Sequence, residues 1–495
     1  MKMKRIALPF LFNVVIALNS TAADWKPVGI TSQVTSVQPM TGLVLWPDEA
    51  DDRFKTYGKS HALEFTYLAP CKVVKSCNDD GSIVYDWSYL DDLLDEVKSR
   101  NHQAVLRFFY EYPGEKMVDD KEGTSGVPAY IKALPDYHET SKKVKGDGMT
   151  YYADWGNAEL KRFTKQFYTD FAKRYQSDPR IAFVEVGFGH WSEYHIYDEN
   201  GVDIKFDGNF PSKEYQKEFF LHLSDVMANI PWAISIDASD SDYTPFTKDK
   251  DLQKLEFGLF DDSFMHEGHE KKSGDGYNEE CWEAMGKDRW KTGVCGGEIS
   301  YYDDSDQEKF TNPKGMYGHT WEEQSAKYHI TFMIANNNPS GKNSYNTASR
   351  FKECSMATGY HFEVTKCVTD GTQTKITVKN NGVAPLYRDA YFAIGSIRSD
   401  KSLKGLLTDE SIELTIDAAL QCDNKGYAVS NPVIVSDYIL DSQTIEYDCN
   451  IIVTDVRDII SFDTNEGQRY NINGQKVSDD YRGLVIVNGE KKLNK

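Results

Sequence analysis

The sequence predicts a protein of the α/β class: a (β/α)8 barrel, or TIM barrel, followed by an antiparallel β-sandwich and a small C-terminal β segment. Two observations predict the barrel. Short apolar runs alternate with amphipathic helical segments, which is typical of a parallel sheet covered by helices, and eight such runs are present, the number that closes a barrel. The runs are residues 42–46, 62–68, 104–110, 181–187, 232–237, 255–260, 293–297 and 329–335.

Two of the segments between the strands show the helical pattern clearly. Asp86 is the predicted N-cap of a helix whose leucines recur at helical spacing, and Asn101 is predicted to end it before the third strand. A second helix is predicted between Asn157 and Tyr175, with an aromatic stripe opposite a basic face. Both patterns indicate helices that pack on the sheet and bind no cofactor.

The pattern changes beyond about residue 355. Short alternating runs with turn signals follow one another without helices between them, which predicts a β-sandwich over residues 356–450. Two strand-like pieces with Asn-Gly turns predict a small β segment over residues 451–495. We therefore assign residues 24–355 to the barrel.

Residues 1–23 have the pattern of a secretory signal peptide. The basic start MKMKR precedes the apolar run IALPFLFNVVIAL and the segment NSTAA, whose small residues suit signal peptidase. Because the apolar run is too short to cross a bilayer, we expect cleavage after Ala23. No cysteine follows that could accept a lipid anchor, and no later segment is apolar enough to span a membrane. The expected location is the periplasm or the cell exterior.

The net charge bears on the expected partners, and the cysteines bear on the expected disulfides. The formal net charge is −21 at pH 7, and removal of Lys2, Lys4 and Arg5 with the signal peptide would leave −24. Such an acidic chain repels phosphate backbones, so a nucleic acid is not expected as a partner. The eight cysteines of an exported chain predict disulfides, with the connectivity left open. The neighbours in sequence are Cys71 and Cys77, Cys281 and Cys295, Cys354 and Cys367, and Cys422 and Cys449.

The sequence contains no specific motif for a metal or a cofactor. His190 with His195, or His266 and His269 with Asp262, have the chemistry of metal ligands, but neither set has a specific metal-site spacing. A dinucleotide fingerprint, a phosphate-binding loop and a nucleophile elbow are also missing from the sequence. We therefore expect neither a metal nor a cofactor.

Acidic side chains stand at or near the predicted ends of five strands. Catalytic groups of a barrel come from the C-terminal ends of its strands, because the scaffold fixes the backbone while the side chain reaches the pocket. The long segments 112–156 and 261–291 follow the third and sixth strands and are expected on the same face. The acidic candidates are Glu111, Glu193, Asp237, Asp261, Asp262 and Glu298.

Glu193 and Glu298 form the predicted catalytic pair. They follow the fourth and seventh strands, which lie on opposite sides of a barrel mouth, so their side chains can flank a sugar ring. Cleavage of a glycosidic bond needs one carboxylic acid to protonate the departing oxygen and one carboxylate to attack the anomeric carbon or to activate water. A pair that includes Asp237 or Asp261, with Glu193 binding substrate, is a second possibility.

This arrangement resembles the superfamily of retaining (β/α)8 glycoside hydrolases with glutamates after strands four and seven. The segments GFGHWSEYH, GLFDDSF and GGEISYY are also similar to those of a little-characterised group of secreted bacterial glycosidases with a barrel followed by a β-sandwich. The resemblance implies Glu193 as acid/base and Glu298 as nucleophile. The sequence departs from this pattern at Ser192, where the superfamily commonly has an Asn that contacts a sugar hydroxyl. Inverting chemistry also stays open, because the distance between the two carboxylates decides between the retaining and the inverting mechanism.

Further residues are predicted to surround the substrate. Arg107 either holds a catalytic carboxylate ionised or forms a structural ion pair with Glu111 or Glu185, and Glu185 itself is expected in a buried network. Aromatic rings can stack on a pyranose, and short polar groups can bond its hydroxyls. The predicted substrate contacts are Trp46, Arg107, Tyr110, His190, Trp191, His195, Asp237, Asp261, Asp262, Tyr301 and Asn336.

The sequence as a whole predicts a secreted glycoside hydrolase that acts on an oligosaccharide or a polysaccharide by a retaining mechanism. The alternative is a glycan-binding or surface-adhesion protein that has a barrel without its chemistry. Convergence of the Glu193 and Glu298 carboxyls on one open pocket would favour the enzyme.

Overall fold

The structure is a computed structural model. The predicted signal peptide, residues 1–23, and the predicted substrate contact Asn336 lie outside the residues that it describes. Those residues are 24–46, 58–197, 208–303, 305–335, 343–453, 469–471, 476–478, 481–487 and 490–494.

Eight parallel strands form a closed barrel in which each strand pairs with its neighbours in sequence and the last pairs with the first. This confirms the predicted fold class. The strands are β1 (Gly42–Leu45), β2 (Leu63–Leu68), β3 (Gln103–Phe108), β4 (Ile181–Glu185), β5 (Trp232–Ser235), β6 (Gly258–Phe264), β7 (Cys295–Ile299) and β8 (Phe332–Ile334).

The sixth and seventh strands extend beyond their predicted ends. The apolar runs end at Phe260 and Gly297, but the parallel pairing of β6 with β7 continues through Asp261 to Phe264. Asp262 and Glu298 therefore lie within strands and not after them. Polar residues can continue these strands because they find hydrogen-bond partners at the mouth of the barrel.

Within the part of the chain that the structure describes, six helices of two turns or more accompany the barrel: α1 (Ser88–Ser99), α2 (Ala158–Tyr175), α3 (Lys213–Val226), α4 (Tyr277–Gly286), α5 (Trp321–Tyr328) and α6 (Ala348–Met356). Asn157 caps α2 as predicted, since its side chain accepts hydrogen bonds from the backbone N–H groups of Glu159 and Leu160. Helix α1 starts later than predicted, with Trp87 at its N-cap position, and Asp86 accepts a hydrogen bond from the N–H of Ser88 instead.

The described C-terminal region contains two sheets that follow the barrel and a third, separate sheet near the end of the chain. Strands β9 (Phe362–Thr369), β10 (Thr374–Asn380), β11 (Ser411–Ile416) and β12 (Asp448–Ile451) form the larger of the first two, in which β9 and β12 pair in parallel and the other pairs are antiparallel. A three-stranded antiparallel sheet is made by Tyr391–Ile394, Ile397–Arg398 and Val433–Val435. A separate four-stranded sheet consists of Arg469–Asn471, Lys476–Val477, Gly483–Val487 and Glu490–Asn494.

The first described residues belong to the larger C-terminal sheet. Lys26–Pro27 pairs with β9 and Ile30–Ser32 pairs with β12. The sequence-based division placed these residues with the barrel, because a two- or three-residue strand leaves no periodic signal that shows its distant partner. The remaining domain boundaries stay predictions.

The C-terminal sheets pack against the N-terminal end of the barrel. Arg388 donates a hydrogen bond to the carbonyl of Ile181 at the start of β4 (3.0 Å), and Gln103 at the start of β3 donates one to the carbonyl of Tyr438 (2.9 Å). The C-terminal ends of the strands, where barrels carry their sites, are left to the loops.

The predicted disulfides are wrong for this structure, because all eight cysteines have free thiols. Cys354 belongs to the apolar cluster between the barrel and its helices, whereas Cys367 belongs to the cluster shared with the C-terminal sheets. Cys422 is exposed, while its neighbour in sequence Cys449 is buried. Closeness in sequence therefore does not place neighbouring thiols in the same surroundings. Within the described residues, no helix is long and apolar enough to cross a membrane.

Candidate active site

A cavity of about 960 Å³ opens at the C-terminal ends of the barrel strands. Its wall combines carboxylates with aromatic rings, and the described part of its lining contains no lysine or arginine. Predicted site residues that line it are Trp46, Trp191, Glu193, His195, Asp237, Asp261, Asp262, Glu298 and Tyr301. The structure thus brings Glu193 and Glu298 to one open pocket.

The segment after β4 reaches the cavity through a tight reversal that depends on two glycines. A Cβ on Gly187 would lie 1.5 Å from the carbonyl oxygen of Ser192, and one on Gly189 would lie 2.3 Å from that of His195. Trp191 and Ser192 both have left-handed backbone conformations, with φ of 54° and 66°. The chain therefore folds back over the end of β4, and this reversal carries Glu193 to the cavity.

Ser192 is buried behind this loop and does not line the cavity. Its hydroxyl donates a hydrogen bond to the carbonyl oxygen of Phe108, at the end of β3. The serine thus fixes the loop to the neighbouring strand. A contact to a sugar hydroxyl, which the resemblance implies for this position, must come from another residue.

Glu193 lies among charged groups at the bottom of the cavity. Its Oε1 is 3.8 Å from Nη1 of Arg107, a nitrogen that Asp262 also contacts, and its Oε2 is 3.5 Å from Nε2 of His195. Burial, followed by repulsion from Asp262 and Asp237, raises the pKa of Glu193 well above its ordinary range, and Arg107 only partly opposes this. A raised pKa suits a general acid.

Glu298 has a different hydrogen-bond environment within β7. The hydroxyl of Tyr301 donates a hydrogen bond of 2.9 Å to its Oε1. Burial and the charge of Asp262 raise the pKa of Glu298, while the Tyr301 hydroxyl and Arg107 favour the ionised form. Tyr301 thus lies where it stabilises a carboxylate.

Arg107 is fully buried and connects the carboxylates of two other strands, β4 and β6. Its guanidinium lies 2.6 Å from Oε2 of Glu185 and 2.6 Å from Oδ2 of Asp262, and it packs over the ring of Phe260 with 4.2 Å to the ring centroid. Burial raises the pKa of Glu185 to about 7, against the opposing charge of Arg107. The structural partner of Arg107 is therefore Glu185, as one of the predicted alternatives has it, and not Glu111.

His195 joins the acids of β4 and β5. Its Nδ1 lies 2.9 Å from Oδ2 of Asp237, which follows β5 in a short 3-10 turn (Ile236–Ser239), and its other nitrogen faces Glu193. Potential ligand atoms of Glu193, His195 and Asp237 all lie within 4.8 Å of one another, a spacing compatible with a cation. Of the two contacts of His195, only that with Asp237 is a hydrogen bond, and Glu193 lies 3.5 Å from the other ring nitrogen.

Two predicted substrate contacts lie behind the cavity. Tyr110 is buried against α2, where its hydroxyl is hydrogen-bonded to Oγ1 of Thr164 at 2.8 Å. His190 is fully buried, with its ring 4.7 Å from that of Tyr197, and burial followed by the charge of His195 lowers its pKa. Neither side chain lines the cavity, because sequence places a residue near a strand end but does not fix the side to which the side chain turns.

Asp261 is present in the cavity wall, but its side chain is occupied. It is almost fully buried and accepts hydrogen bonds from His269 (2.9 Å), Asn278 (2.8 Å) and Trp282 (3.1 Å). Although burial alone would raise it, the pKa of Asp261 is lowered by His269 and by the other donors. The residue ties the loop after β6 and α4 to the barrel, so it is a poor candidate for catalysis or for sugar binding.

The sequence reasoning missed much of the aromatic lining. Tyr112 and Tyr197 lie in loops and Tyr277 begins α4, while Tyr67 lies in β2 and Tyr302 directly follows the predicted contact Tyr301. Tyr112 and Tyr277 belong to the two long segments, 112–156 and 261–291, that the sequence assigned to this face. The aromatic composition of those segments was the available signal, but it did not show which rings turn to the cavity.

Glu111 is a strand-end acid that the structure buries away from the cavity, and we predict that Glu111→Gln stabilises the protein above pH 5. Burial raises the pKa of Glu111 well above 4.5, so the unfolded chain releases this proton at a lower pH than the folded one. Wild-type stability therefore falls with rising pH between the two pKa values, by about 1.4 kcal/mol for each pH unit. The amide of Glu111→Gln does not ionise, so the variant does not lose stability in this way as the pH rises.

The check is the urea midpoint of unfolding at pH 4.5 and at pH 8, with the exposed Glu115→Gln as matched control. We expect Glu111→Gln to exceed wild type by more at pH 8 than at pH 4.5, and the control to follow wild type. An advantage of Glu111→Gln that does not grow with pH would contradict a buried, protonated Glu111.

Comparison with known proteins finds structural likeness only. No protein-family model and no curated protein sequence matches the chain. Endo-glycoceramidase II from Rhodococcus sp. is 9% identical, with 78% of this chain and 100% of that one covered and a TM-score of 0.38. A family 39 glycoside hydrolase from Bacteroides cellulosilyticus is 10% identical, with 77% and 81% covered and a TM-score of 0.35. The fold assignment rests on the strand pairing of this chain itself.

Proposed function

We propose that this protein is a glycoside hydrolase that cleaves an oligosaccharide or a polysaccharide by a retaining mechanism. The observation that carries the proposal is that Glu193 and Glu298, from β4 and β7, line one open cavity together with aromatic side chains. Two carboxyl groups are the chemistry that glycosidic cleavage needs. Aromatic faces, here including Trp46, Trp191 and Tyr301, suit the apolar faces of a pyranose.

The hydrogen-bond partners support a division of roles. Burial raises the pKa of both glutamates, but Glu298 accepts a hydrogen bond from the Tyr301 hydroxyl, which favours a carboxylate, the form of a nucleophile. Glu193 shares a guanidinium nitrogen of Arg107 with another carboxyl group, that of Asp262, and such a neighbour favours the protonated form of a general acid. The roles that the resemblance implied are thus consistent with the partners of each glutamate.

In the proposed reaction, a carboxylate oxygen of Glu298 attacks the anomeric carbon while Glu193 gives its proton to the departing glycosidic oxygen. The bond to the leaving group breaks and a covalent glycosyl ester with Glu298 forms. Glu193, now a carboxylate, then takes a proton from water, whose oxygen attacks the same carbon and releases Glu298. The product has the anomeric configuration of the substrate.

We also propose that the protein is exported. This proposal rests on the basic, apolar and small-residue pattern of residues 1–23. An extracellular or periplasmic location would bring the enzyme to polymeric glycans. Analysis of the N-terminus of the mature chain tests it, and the expected first residue is Asp24.

The experiment that tests the function is incubation of the purified protein with a panel of oligosaccharides and polysaccharides, with products followed by proton NMR. Retaining hydrolysis gives the substrate anomer first, and inverting hydrolysis gives the opposite one. Release of the inverted anomer would refute the double displacement. Binding of a glycan without any product would favour the glycan-binding alternative, and neither binding nor product would contradict both.

A further inference from the structure

Arg107 is enclosed by more negative groups than its single charge can balance. Three carboxyl groups approach the buried guanidinium: Glu185 at 2.6 Å, Asp262 at 2.6 Å and Glu193 at 3.8 Å. Asp262 binds it with both oxygens, because Nη2 also lies 3.1 Å from Oδ1. Arg107 and Asp262 thus form a bidentate ion pair, in which Asp262 lines the cavity and Arg107 lies behind it.

Glu193 and Asp262 approach the same guanidinium nitrogen. Nη1 of Arg107 lies 2.6 Å from Oδ2 of Asp262 and 3.8 Å from Oε1 of Glu193. Two carboxylates offer only acceptors, so a hydrogen bond between them requires a proton on one of them. Both oxygens of Asp262 already accept hydrogen bonds from the guanidinium. Glu193, which is 1.2 Å farther from Arg107 than Asp262 is, is therefore the group left to hold that proton.

We propose that Asp262, fixed by Arg107, is a positioning residue that accepts the Glu193 proton in a hydrogen bond and thereby keeps Glu193 in the acid form, aimed at the cavity. The inference deepens the proposed function and, for its catalytic meaning, rests on it. Arg107 also donates to the carbonyl oxygen of Trp191 (3.3 Å), so the same guanidinium holds the loop that carries Glu193. The Arg107 side chain thus fixes both Asp262 and the loop that carries Glu193.

Other titratable groups also face Glu193 and are part of its electrostatic environment. Asp237 acts in the same direction as Asp262, while His195 approaches from the same loop. Three tyrosine hydroxyls complete the set, those of Tyr67, Tyr197 and Tyr302. Asp262 differs from all of them because it binds the guanidinium of Arg107 with both oxygens and shares Nη1 of that guanidinium with Glu193.

The test is a titration of Glu193 by carbon NMR in the full-length protein labelled at the glutamate carboxyl carbons, with Glu193→Gln to assign the signal. In Asp262→Asn, the acceptor charge is lost and Arg107 is released toward Glu193. We expect the Glu193 midpoint to fall by about one pH unit or more. The matched control is Asp240→Asn, which changes a carboxyl group of the same cavity that accepts a hydrogen bond from the N–H of Asp242. In this control the titration midpoint of Glu193 should equal that of wild type.

An unchanged Glu193 midpoint in Asp262→Asn would overturn the inference. A second measurement covers the case in which this variant does not fold. If Glu193 is protonated at rest, Glu193→Gln keeps a neutral donor to Asp262, so its urea midpoint at pH 7 should equal that of wild type. A lower midpoint at pH 7 together with an equal one at pH 4 would show an ionised Glu193 and refute the proposal.

These measurements need no substrate, so they separate the two proposals. If the Glu193 midpoint shifts but no glycan is cleaved, the positioning role of Asp262 stands and the glycosidase fails. If glycans are cleaved, the high-pH limb of kcat/KM should move to lower pH in Asp262→Asn, because the acid form of Glu193 is lost earlier. Hydrolysis with a high-pH limb that stays in place would overturn the positioning role alone.

Discussion

Replacement of Glu298 by Gln is expected to abolish hydrolysis while the fold is retained. The amide removes the charge that attacks the anomeric carbon but changes the volume little, and it can still accept the hydrogen bond from Tyr301. Loss of a covalent nucleophile costs on the order of 10⁵-fold in kcat, or about 7 kcal/mol of transition-state stabilisation. Turnover of the responsive glycan by the variant is the measurement.

The matched control for this variant is Glu256→Gln, which makes the same change at an exposed position just before β6. It should hydrolyse like wild type. The folded state of Glu298→Gln is verified by its circular dichroism and its thermal midpoint. A folded Glu298→Gln with near-normal turnover would remove Glu298 from the mechanism and bring Asp237 forward as the partner of Glu193.

Replacement of Glu193 by Gln is expected to give a loss that depends on the leaving group. A poor leaving group, such as a sugar hydroxyl, needs the proton of Glu193, so we expect about a 10³-fold lower rate on a glycan. An aryl glycoside with an acidic phenol needs no such proton and should form the glycosyl-enzyme at a rate close to that of wild type. The missing base then slows the second step, so a burst of phenol should precede slow turnover.

The pH profile provides a further readout for the same variant. Because Glu193 must be protonated for the first step and its pKa is raised by burial and by neighbouring carboxylates, wild-type kcat/KM should fall on the high-pH side as Glu193 ionises. This limb should be missing in Glu193→Gln. An equal loss on all substrates, without a burst, would instead indicate that Glu193 only binds the sugar.

The strand count was predictable from sequence because each barrel strand is a short run of apolar residues bounded by turn or helix signals, and that signal is local. The ends of β6 and β7 were not predictable in the same way. Asp261 and Asp262 continue β6 because His269, Asn278 and Arg107 satisfy them from other elements. Such partners are distant in sequence and leave no periodic pattern.

The candidate site, like the fold, was predictable from sequence only in part. Placement at strand ends was enough to bring Glu193 and Glu298 forward, since parallel strands deliver their C-terminal ends to one face. It was not enough for Tyr110 and His190, which lie near strand ends but turn into the packing behind the cavity. Nor could the sequence show that the Ser192 hydroxyl donates a hydrogen bond to the backbone carbonyl of Phe108 in β3.

By itself the sequence determined the barrel, the face that carries the site and the two glutamates that reach it, because these follow from local apolar periodicity and from the chain direction of parallel strands. Only the tertiary structure decided which groups surround each glutamate. Arg107 on β3 and Asp262 on β6 lie more than 150 positions apart, and they meet because the closed barrel turns their side chains to a common interior. Hydrogen bonds and charge interactions depend on distances of a few ångströms in space, which order along the chain does not encode.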